Sequence, residues 1–518
     1  MPTGKVNQRS TEALGYQKFR AGGGFFVYDQ SSRTILGIDR NAYQILEDYF
    51  CLAPDLLRHR HLKQMSEGDL NAAIHCLDQA VRVNGRFRPA ACEDYSAILD
   101  REFLKQGLAS GMRNLCLTVT EQCNQRCTYC ANSGNYAGEF RHNNRHMTWE
   151  VARRCIDYFL PRTDPNAGAG LSFFGGEPFL GWDLIRKCVR HVRANYRLTD
   201  NLAMTIVTNA TLLTPRALDF IMDNDVFLQV SLDGPQPIHD SARVFPDGSG
   251  SYGRVMAVLR EVQRKNPEYF SSRVSIACCI DRNRDLIDLF HFFNGENFEG
   301  IKVSFNPIKE DDAGLYVENA ETRRHYDAEL DRLIDLYLSR LRSGGRFNHP
   351  LFRELLFRVF KLGWDPITPD VAKGRFPNPI CLPGISKIYV ASDGTFYPCE
   401  RVRLRGTEIG DYRTGVDLES VLALVRMFAD FCAENCGSCW AHGLCCHCFV
   451  HFLQRGKVRR NKKLDYCRRE KEALVEAFRR FIRIWENETG SARKHPESLH
   501  SRTEKVRYST LHSPDLIN

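Results

Sequence analysis

Cys123-Asn124-Gln125-Arg126-Cys127-Thr128-Tyr129-Cys130 decides how the rest of this chain is read. It places three thiols within eight residues, directly after the apolar run Leu115 to Val119, which reads as a short strand. Three thiolates at this spacing can ligate three irons of a 4Fe–4S cube and leave the fourth iron open to another ligand. The same residues also suit a zinc site that draws its remaining ligand from elsewhere. Spacing alone leaves both open.

At 518 residues the chain is too long for one compact core, and length predicts about three domains. Apolar residues make up 43% and charged residues 26%, and no apolar run approaches the roughly 18 residues of a membrane span. The start, Met1-Pro2-Thr3-Gly4-Lys5, lacks the apolar core of a secretory signal. The expectation is a cytoplasmic protein with no membrane partner. Twenty cysteines in that compartment point to metal or redox chemistry rather than disulfides. Net charge is +8, with much of the excess late, in Arg455-Gly456-Lys457-Val458-Arg459-Arg460-Asn461-Lys462-Lys463 and Arg468-Arg469. A solvated face is the commoner meaning of such a run than a nucleic-acid contact.

From residue 112 a β/α rhythm begins. Strand-like runs fall at 114–119, 171–174, 202–207, 226–232, 274–280 and 301–305, with helical patterns at 149–160, 182–194, 214–223, 253–264 and 285–293. Six alternating units imply a parallel sheet with right-handed crossovers. Polar motifs follow the C-terminal ends of the strands, where barrel active sites are built. The cysteines follow the first and Gly175-Gly176-Glu177-Pro178 the second. Thr208-Asn209-Ala210-Thr211-Leu212-Leu213 follows the third, and Ser231-Leu232-Asp233-Gly234-Pro235, His239-Asp240 and Arg243 follow the fourth. Paired glycines let backbone approach a ligand, and a carboxylate beside them can receive an ammonium group. Cys116, Cys155, Cys188, Cys278 and Cys279 sit in apolar patterns and read as core residues.

The cysteine spacing, with Tyr129 before the last thiol, resembles the radical S-adenosylmethionine (SAM) enzymes. That resemblance implies a partial (β/α)6 barrel over about 112–310, with Cys123, Cys127 and Cys130 holding a 4Fe–4S cluster whose open iron binds SAM. It further implies that one electron cleaves SAM to methionine and a 5'-deoxyadenosyl radical, which abstracts hydrogen from a substrate. Gly175, Gly176, Glu177 and Pro178 match the family's GGEP motif, which holds SAM's amino group. Ser231 and Arg243 take the places of the serine that reaches SAM's ribose and the arginine that reaches its carboxylate. The family commonly has glycine where Ala210 stands.

Residues 311–375 read as a helical bridge, with Leu330, Leu333, Ile334, Leu336, Tyr337 and Leu341 at helical spacing and Gly344-Gly345 ending it. A second cysteine field then opens: Cys381, Cys399, Cys436, Cys439, Cys445, Cys448 and Cys467. Ser392-Asp393-Gly394-Thr395 supplies a hairpin turn that can bring Cys381 and Cys399 together. Over 376–470 this field resembles the SPASM domain, which carries two auxiliary 4Fe–4S clusters in radical SAM enzymes that modify peptides. That resemblance assigns Cys436, Cys439, Cys445 and Cys467 to one cluster, and Cys381, Cys399 and Cys448 to part of the other. The last position falls to Cys432, to Cys446 or to an open iron. A pair of zinc sites drawing on His442, His447 and His451 is the competing reading of the same residues. Glu400 follows Cys399 where sulfatase-maturing relatives carry an aspartate proposed as catalytic base; an ion pair with Arg401 or Arg403 is the plainer alternative. Arg468 to Trp485 reads as an amphipathic helix within a C-terminal segment 471–518 whose end is polar.

At the front, Tyr16–Arg20, Gly24–Tyr28 and Thr34–Ile38 read as strands and Asn41–Leu52 as a helix. Over 1–105 this resembles the winged-helix-like RiPP recognition element, which adds the leader of a ribosomally made precursor peptide to its sheet edge. The fold class expected is therefore α/β, a radical SAM barrel between a peptide-recognition module and a SPASM domain. The implied cofactors are SAM and three 4Fe–4S clusters, one SAM-binding and two auxiliary. The implied partners are a precursor peptide and an electron donor such as flavodoxin or ferredoxin. The implied reaction is thioether crosslinking of a peptide. Carbon–carbon crosslinking and formylglycine formation are the enzymatic alternatives, and a zinc-binding interaction protein the non-enzymatic one.

Overall fold

Six strands in parallel form the centre of the molecule: β4 (Asn114–Thr120), β5 (Ala169–Gly175), β6 (Leu202–Thr208), β7 (Phe227–Ser231), β8 (Val274–Ile280) and β9 (Lys302–Pro307). The computed structural model describes residues 15–31, 34–87, 99–133, 141–196, 201–295, 298, 301–308, 319–342, 381–437, 439–442, 444–445, 448–454 and 457–488. Strand order follows chain order from β4 to β9, as repeated crossover connections require. Along β4 the alternation of side chains sends Leu115, Leu117 and Val119 into the main core and Cys116 into a separate cluster with Tyr389, Ala391 and Tyr397. Cys155, Cys188 and Cys278 are buried as expected, and Cys279 is half-buried.

The crossover helices match the apolar periodicity closely. They are Trp149–Phe159, Trp182–Asn195, Pro215–Asp223, Tyr252–Lys265 and Leu286–Phe293. Thr148 caps the first, accepting from the backbone of Val151, and Thr214 caps the third with Pro215 in its first turn.

Residues near 390 extend this sheet. β10 (Ile388–Val390) pairs in parallel with β4, in register Ile388 to Leu115 and Val390 to Leu117. β11 (Thr395–Tyr397), β12 (Gly410–Asp411) and β13 (Gly415–Val416) continue it antiparallel, so ten strands share one sheet. The turn expected at Ser392–Thr395 joins β10 to β11, with Gly394 at φ +92° and Asp393 accepting from the backbone of Thr395.

The first three strands, β1 (Tyr16–Ala21), β2 (Gly24–Asp29) and β3 (Thr34–Ile38), form a separate antiparallel sheet in the order β1-β2-β3. Val27, Ile38, Ile45, Leu46, Leu70, Leu77 and Phe87 make a core of their own beneath it, drawing on α1 (Arg40–Cys51), α2 (Pro54–His61) and α3 (Glu67–Asp78). This module rests on the C-terminal helix: Phe478 lies 5.3 Å from Phe19 and 4.9 Å from Tyr28, ring centre to ring centre. Tyr28 also meets Trp440 at 6.2 Å.

The bridge contains α4 (Ala320–Arg342), with Leu330, Leu333, Ile334 and Tyr337 buried. Gly344-Gly345, Cys446, His447 and residues 489–518 lie outside the described residues. After α5 (Leu418–Asn435), the last helix, α6, runs Arg460–Glu488 and so begins eight residues before the expected Arg468. Cys467 therefore lies inside this helix. Arg480 pins α6 to α4 through Asp327 at 2.9 Å and Asp331 at 3.0 Å. The basic run is solvated at Arg459, Arg460 and Arg468, but Lys463 is fully buried. Among the described residues no helix is long and apolar enough to cross a membrane.

Candidate active site

The loop after β4 is held from two sides by backbone. Arg126 N donates to Val244 O at 2.7 Å and Thr128 N to Ala242 O at 3.0 Å. On the opposite flank Gly176 N donates to Thr120 O at 2.8 Å and Glu177 N to Gln122 O at 2.9 Å. This contact explains the glycine pair. Gly175 has φ +144°, and a Cβ there would stand 2.1 Å from Thr120 O; at Gly176 it would stand 2.1 Å from Gln122 O. Any side chain at either position would push the cysteine loop away.

Glu177 is held firmly by its neighbours. Its carboxylate is fully buried and accepts from Phe179 N at 3.1 Å, Thr208 Oγ1 at 2.7 Å and Asn209 N at 2.8 Å. Burial pushes its pKa up to about 7 against those donors. The side chain joins the end of β5 to the end of β6, and Pro178 beside it is buried. Ala210, in the position where glycine is common, adopts φ +61°, the left-handed conformation that glycine reaches without steric cost.

On the far side of the loop, Asp233 collects the site. It accepts from Arg243 Nε at 2.9 Å and Cys279 N at 2.9 Å, and from the Tyr129 hydroxyl. Burial works against the Arg243 charge, but Asp233 more than offsets it and keeps the guanidinium protonated. With Nε engaged, Nη1 points 3.9 Å from Cys127 Sγ, and the guanidinium lies 5.4 Å from the Tyr129 ring centre. Ser231 ends β7, half-buried, at the same mouth. The sequence offered Asp233 only as a turn residue. Its signal lay in its place at a strand end beside Arg243, a pattern shared with ordinary turns.

Cys123, Cys127 and Cys130 lie close enough that Cys123 and Cys130 both raise the proton affinity of Cys127, and Cys130 raises that of Cys123. Burial is the main cause that lifts Cys123 to about 11 and Cys127 to about 12; Arg243 pulls Cys127 the other way. Cys130 Sγ also lies 3.8 Å from His142 Nε2. Among the described residues no three His, Cys, Asp or Glu side chains are drawn together tightly enough for a single metal ion. Soft thiol donors around a loop, with a guanidinium beside them, fit an iron–sulfur cluster.

The second cysteine field also groups. Cys439 acts on both Cys445 and Cys467, and Cys436 acts on Cys467 as well. Cys432 hydrogen-bonds Cys436, which raises the latter's pKa further than burial does. Cys432 therefore stands with the Cys436 set. Cys399 is half-buried and within electrostatic reach of Cys448, whereas Cys381 is exposed. Glu400 pairs with Lys387 at 2.6 Å and with neither Arg401 nor Arg403. Burial would raise its pKa, but Lys387 holds it below the usual carboxylate range. Arg403 instead donates to the Tyr389 hydroxyl at 2.7 Å.

Residues 117–292 match the model of the radical SAM superfamily. The chain carries a radical SAM domain. It is 24% identical over 371 residues to a cysteine-type anaerobic sulfatase-maturating enzyme of Clostridium novyi, covering 68% of this chain and 90% of that one. It is 29% identical over 238 residues to the radical SAM cyclopropyl synthase TigE of Paramaledivibacter caminithermalis, covering 44% of this chain and 47% of that one. An uncharacterized protein of Methanocaldococcus jannaschii is 35% identical over 144 residues, which cover 28% of this chain and 46% of its own. The solved structure of native anSMEcpe with bound AdoMet superposes with TM-score 0.55 at 22% identity, covering 72% of this chain and 98% of that one. The radical SAM fold, an α/β partial barrel, is thereby shared, and it implies SAM and a 4Fe–4S cluster.

Proposed function

We propose that this radical SAM enzyme posttranslationally modifies a ribosomally synthesised precursor peptide, forming thioether crosslinks between a cysteine sulfur and a carbon. The observation that carries the reading is the pairing of β10 with β4, which attaches the second cysteine field to the strand that leads into the first. Through it, Glu400, Lys387 and Cys399 come within electrostatic reach of Cys116 on β4. Curated relatives named as sulfatase-maturating enzymes support a protein or peptide substrate.

In this reading Cys123, Cys127 and Cys130 hold the SAM-binding cluster. Cys436, Cys439, Cys445 and Cys467 hold one auxiliary cluster, and Cys381, Cys399 and Cys448 hold part of another. With SAM bound, these groups supply hydrogen-atom abstraction and an acceptor for the second electron. The protein's own part is positioning. The Gly175–Gly176 backbone meets SAM's amino group, Ser231 its ribose, and the free edge of Arg243 its carboxylate, with Tyr129 and Asp233 fixing the angle of the guanidinium. Glu400, kept ionised by Lys387, takes a proton from the peptide. The leader adds to β3, an end strand of the N-terminal sheet whose outer edge has no partner strand among the described residues. An electron donor such as a flavodoxin or ferredoxin completes the system.

Formylglycine formation is the second reading, favoured by the 90% coverage of the Clostridium novyi sulfatase-maturating enzyme. The deciding experiment uses the reconstituted, anaerobic full chain with SAM, dithionite and a cysteine-containing peptide encoded beside its gene. Loss of two hydrogen atoms per event, with the cysteine sulfur retained and no longer alkylated, is the expected product. A hydrazide-reactive aldehyde with sulfur lost would select the second reading. Intact peptide with uncleaved SAM would overturn both.

A further inference from the structure

Lys463 stands one helical turn before Cys467 on α6, and none of its surface reaches solvent. Among the described residues its Nζ has no hydrogen-bond acceptor. It lies instead over two aromatic rings, 4.7 Å from the centre of Tyr466 and 5.9 Å from that of Phe452. Aromatic faces replace only part of the hydration an ammonium loses, and a buried charge left uncompensated is strongly disfavoured. A lysine is retained in such a place where something negative faces it. Cys467 stands four residues on, on the same face of α6, and Cys436 and Cys445 lie within electrostatic reach. Glu470, buried two turns further along the helix, acts on Cys445 in the opposite sense, and Lys471 joins Lys463 in acting on Cys436 and Cys467.

We propose that Lys463 is the internal counter-cation of the group held by Cys436, Cys439, Cys445 and Cys467, and that it sets the reduction potential of that group. The inference rests on the reading that these four thiols hold an auxiliary 4Fe–4S cluster. A cube bound by four thiolates carries net negative charge in both of its oxidation states, and reduction adds one more electron. A cation fixed in low dielectric stabilises the reduced form more than the oxidised and raises the potential. Lys463 is a positioning residue in this sense, since its charge acts through the cluster.

The test uses the anaerobically reconstituted full chain in a Cys123→Ala, Cys127→Ala, Cys130→Ala background, so that only auxiliary groups report. Iron, sulfide and an EPR-monitored redox titration are measured for Lys463, Lys463→Met and Lys463→Arg. Lys463→Met is expected to keep its iron and sulfide and to lower the reduced-to-oxidised ratio at fixed solution potential at least tenfold, about 59 mV for a one-electron couple. Lys463→Arg is expected to titrate as the parent does. An unchanged potential in Lys463→Met with iron and sulfide retained overturns the proposal. If Lys463→Met loses the group, Lys463→Arg decides: retention supports a requirement for charge, and loss overturns it. A parent whose iron and sulfide are unaffected by Cys436→Ala with Cys439→Ala would instead refute the cluster assignment itself.

Discussion

Arg243 Nε lies 2.9 Å from Asp233 Oδ2, with 10% and 3% of the two side chains exposed. Both residues lie in the segment after β7, and Arg243 Nη1 reaches to 3.9 Å from Cys127 Sγ of the cysteine loop. Removing one partner leaves a charge buried without compensation. Asp233→Asn is expected to cost about 3–5 kcal/mol of stability, read by denaturant unfolding of the apo chain. Asp233→Leu combined with Arg243→Met is expected to cost less than Asp233→Asn alone, because neither charge is then stranded.

Arg243→Lys keeps the charge and loses the fork. It is expected to weaken SAM binding by roughly tenfold or more, from the loss of one charge-assisted hydrogen bond of about 1.5–3 kcal/mol. Isothermal titration with the reconstituted protein reads the change. Equal affinity for both proteins would remove Arg243 from the SAM site.

His239 is buried, accepts from Asp233 N through Nδ1 and contacts Ser251 Oγ through Nε2 at 3.0 Å. Burial, helped by Arg243, depresses its pKa from 6.5 to about 4. A depressed pKa means that the unfolded chain binds the proton more tightly. Stability from this group is complete above pH 6.5 and is lost as pH falls toward 4, by about 3 kcal/mol across the window. The loss is expected to be absent from the pH dependence of unfolding in His239→Gln, even if that variant is less stable throughout.

Gly176→Ala places a methyl group 2.1 Å from Gln122 O, so the backbone of the cysteine loop must move. Overpacking of this kind costs about 1–3 kcal/mol, and here it falls on the loop that carries Cys123. Expected results are a normal far-ultraviolet spectrum with reduced iron content and SAM affinity in reconstituted protein. Full retention of both would mean that the loop tolerates displacement.

Lys387→Met removes the cation that holds Glu400 ionised. The Glu400 pKa then rises, and the acidic limb of the pH profile for peptide modification is expected to move to higher pH. Glu400→Gln is expected to lower peptide modification by about 10²–10⁴-fold while SAM cleavage persists. A Glu400→Gln enzyme with full turnover would assign the pair a purely structural role.

Much of this architecture was legible because apolar periodicity is local. The strands β1 to β9 and the crossover helices fall within a few residues of where alternation and 3.6-residue spacing put them. The strands β10 to β13 were hidden, since two or three residues carry no period and β10 takes its register from β4, far away in sequence. The early start of α6 was masked by Arg459 to Lys463, whose charges read as a surface although Lys463 points inward. Motif spacing located the cysteine loop and the GGEP turn. The role of Glu177 in joining two strands was not legible, because its donors on Thr208 and Asn209 lie about thirty residues further along the chain.

The parallel pairing of β10 with β4 also orders events during synthesis. Roughly 270 residues separate the two strands, so at about 5–20 residues per second β4 waits some tens of seconds on the ribosome with its outer edge unpaired. During that interval the sheet from β4 to β9 can form and expose its cysteine loop before the C-terminal thiols exist to compete for iron. Closing the edge with β10 comes last, and a chain that stalls before residue 388 keeps an open strand edge, the feature most prone to association with other chains.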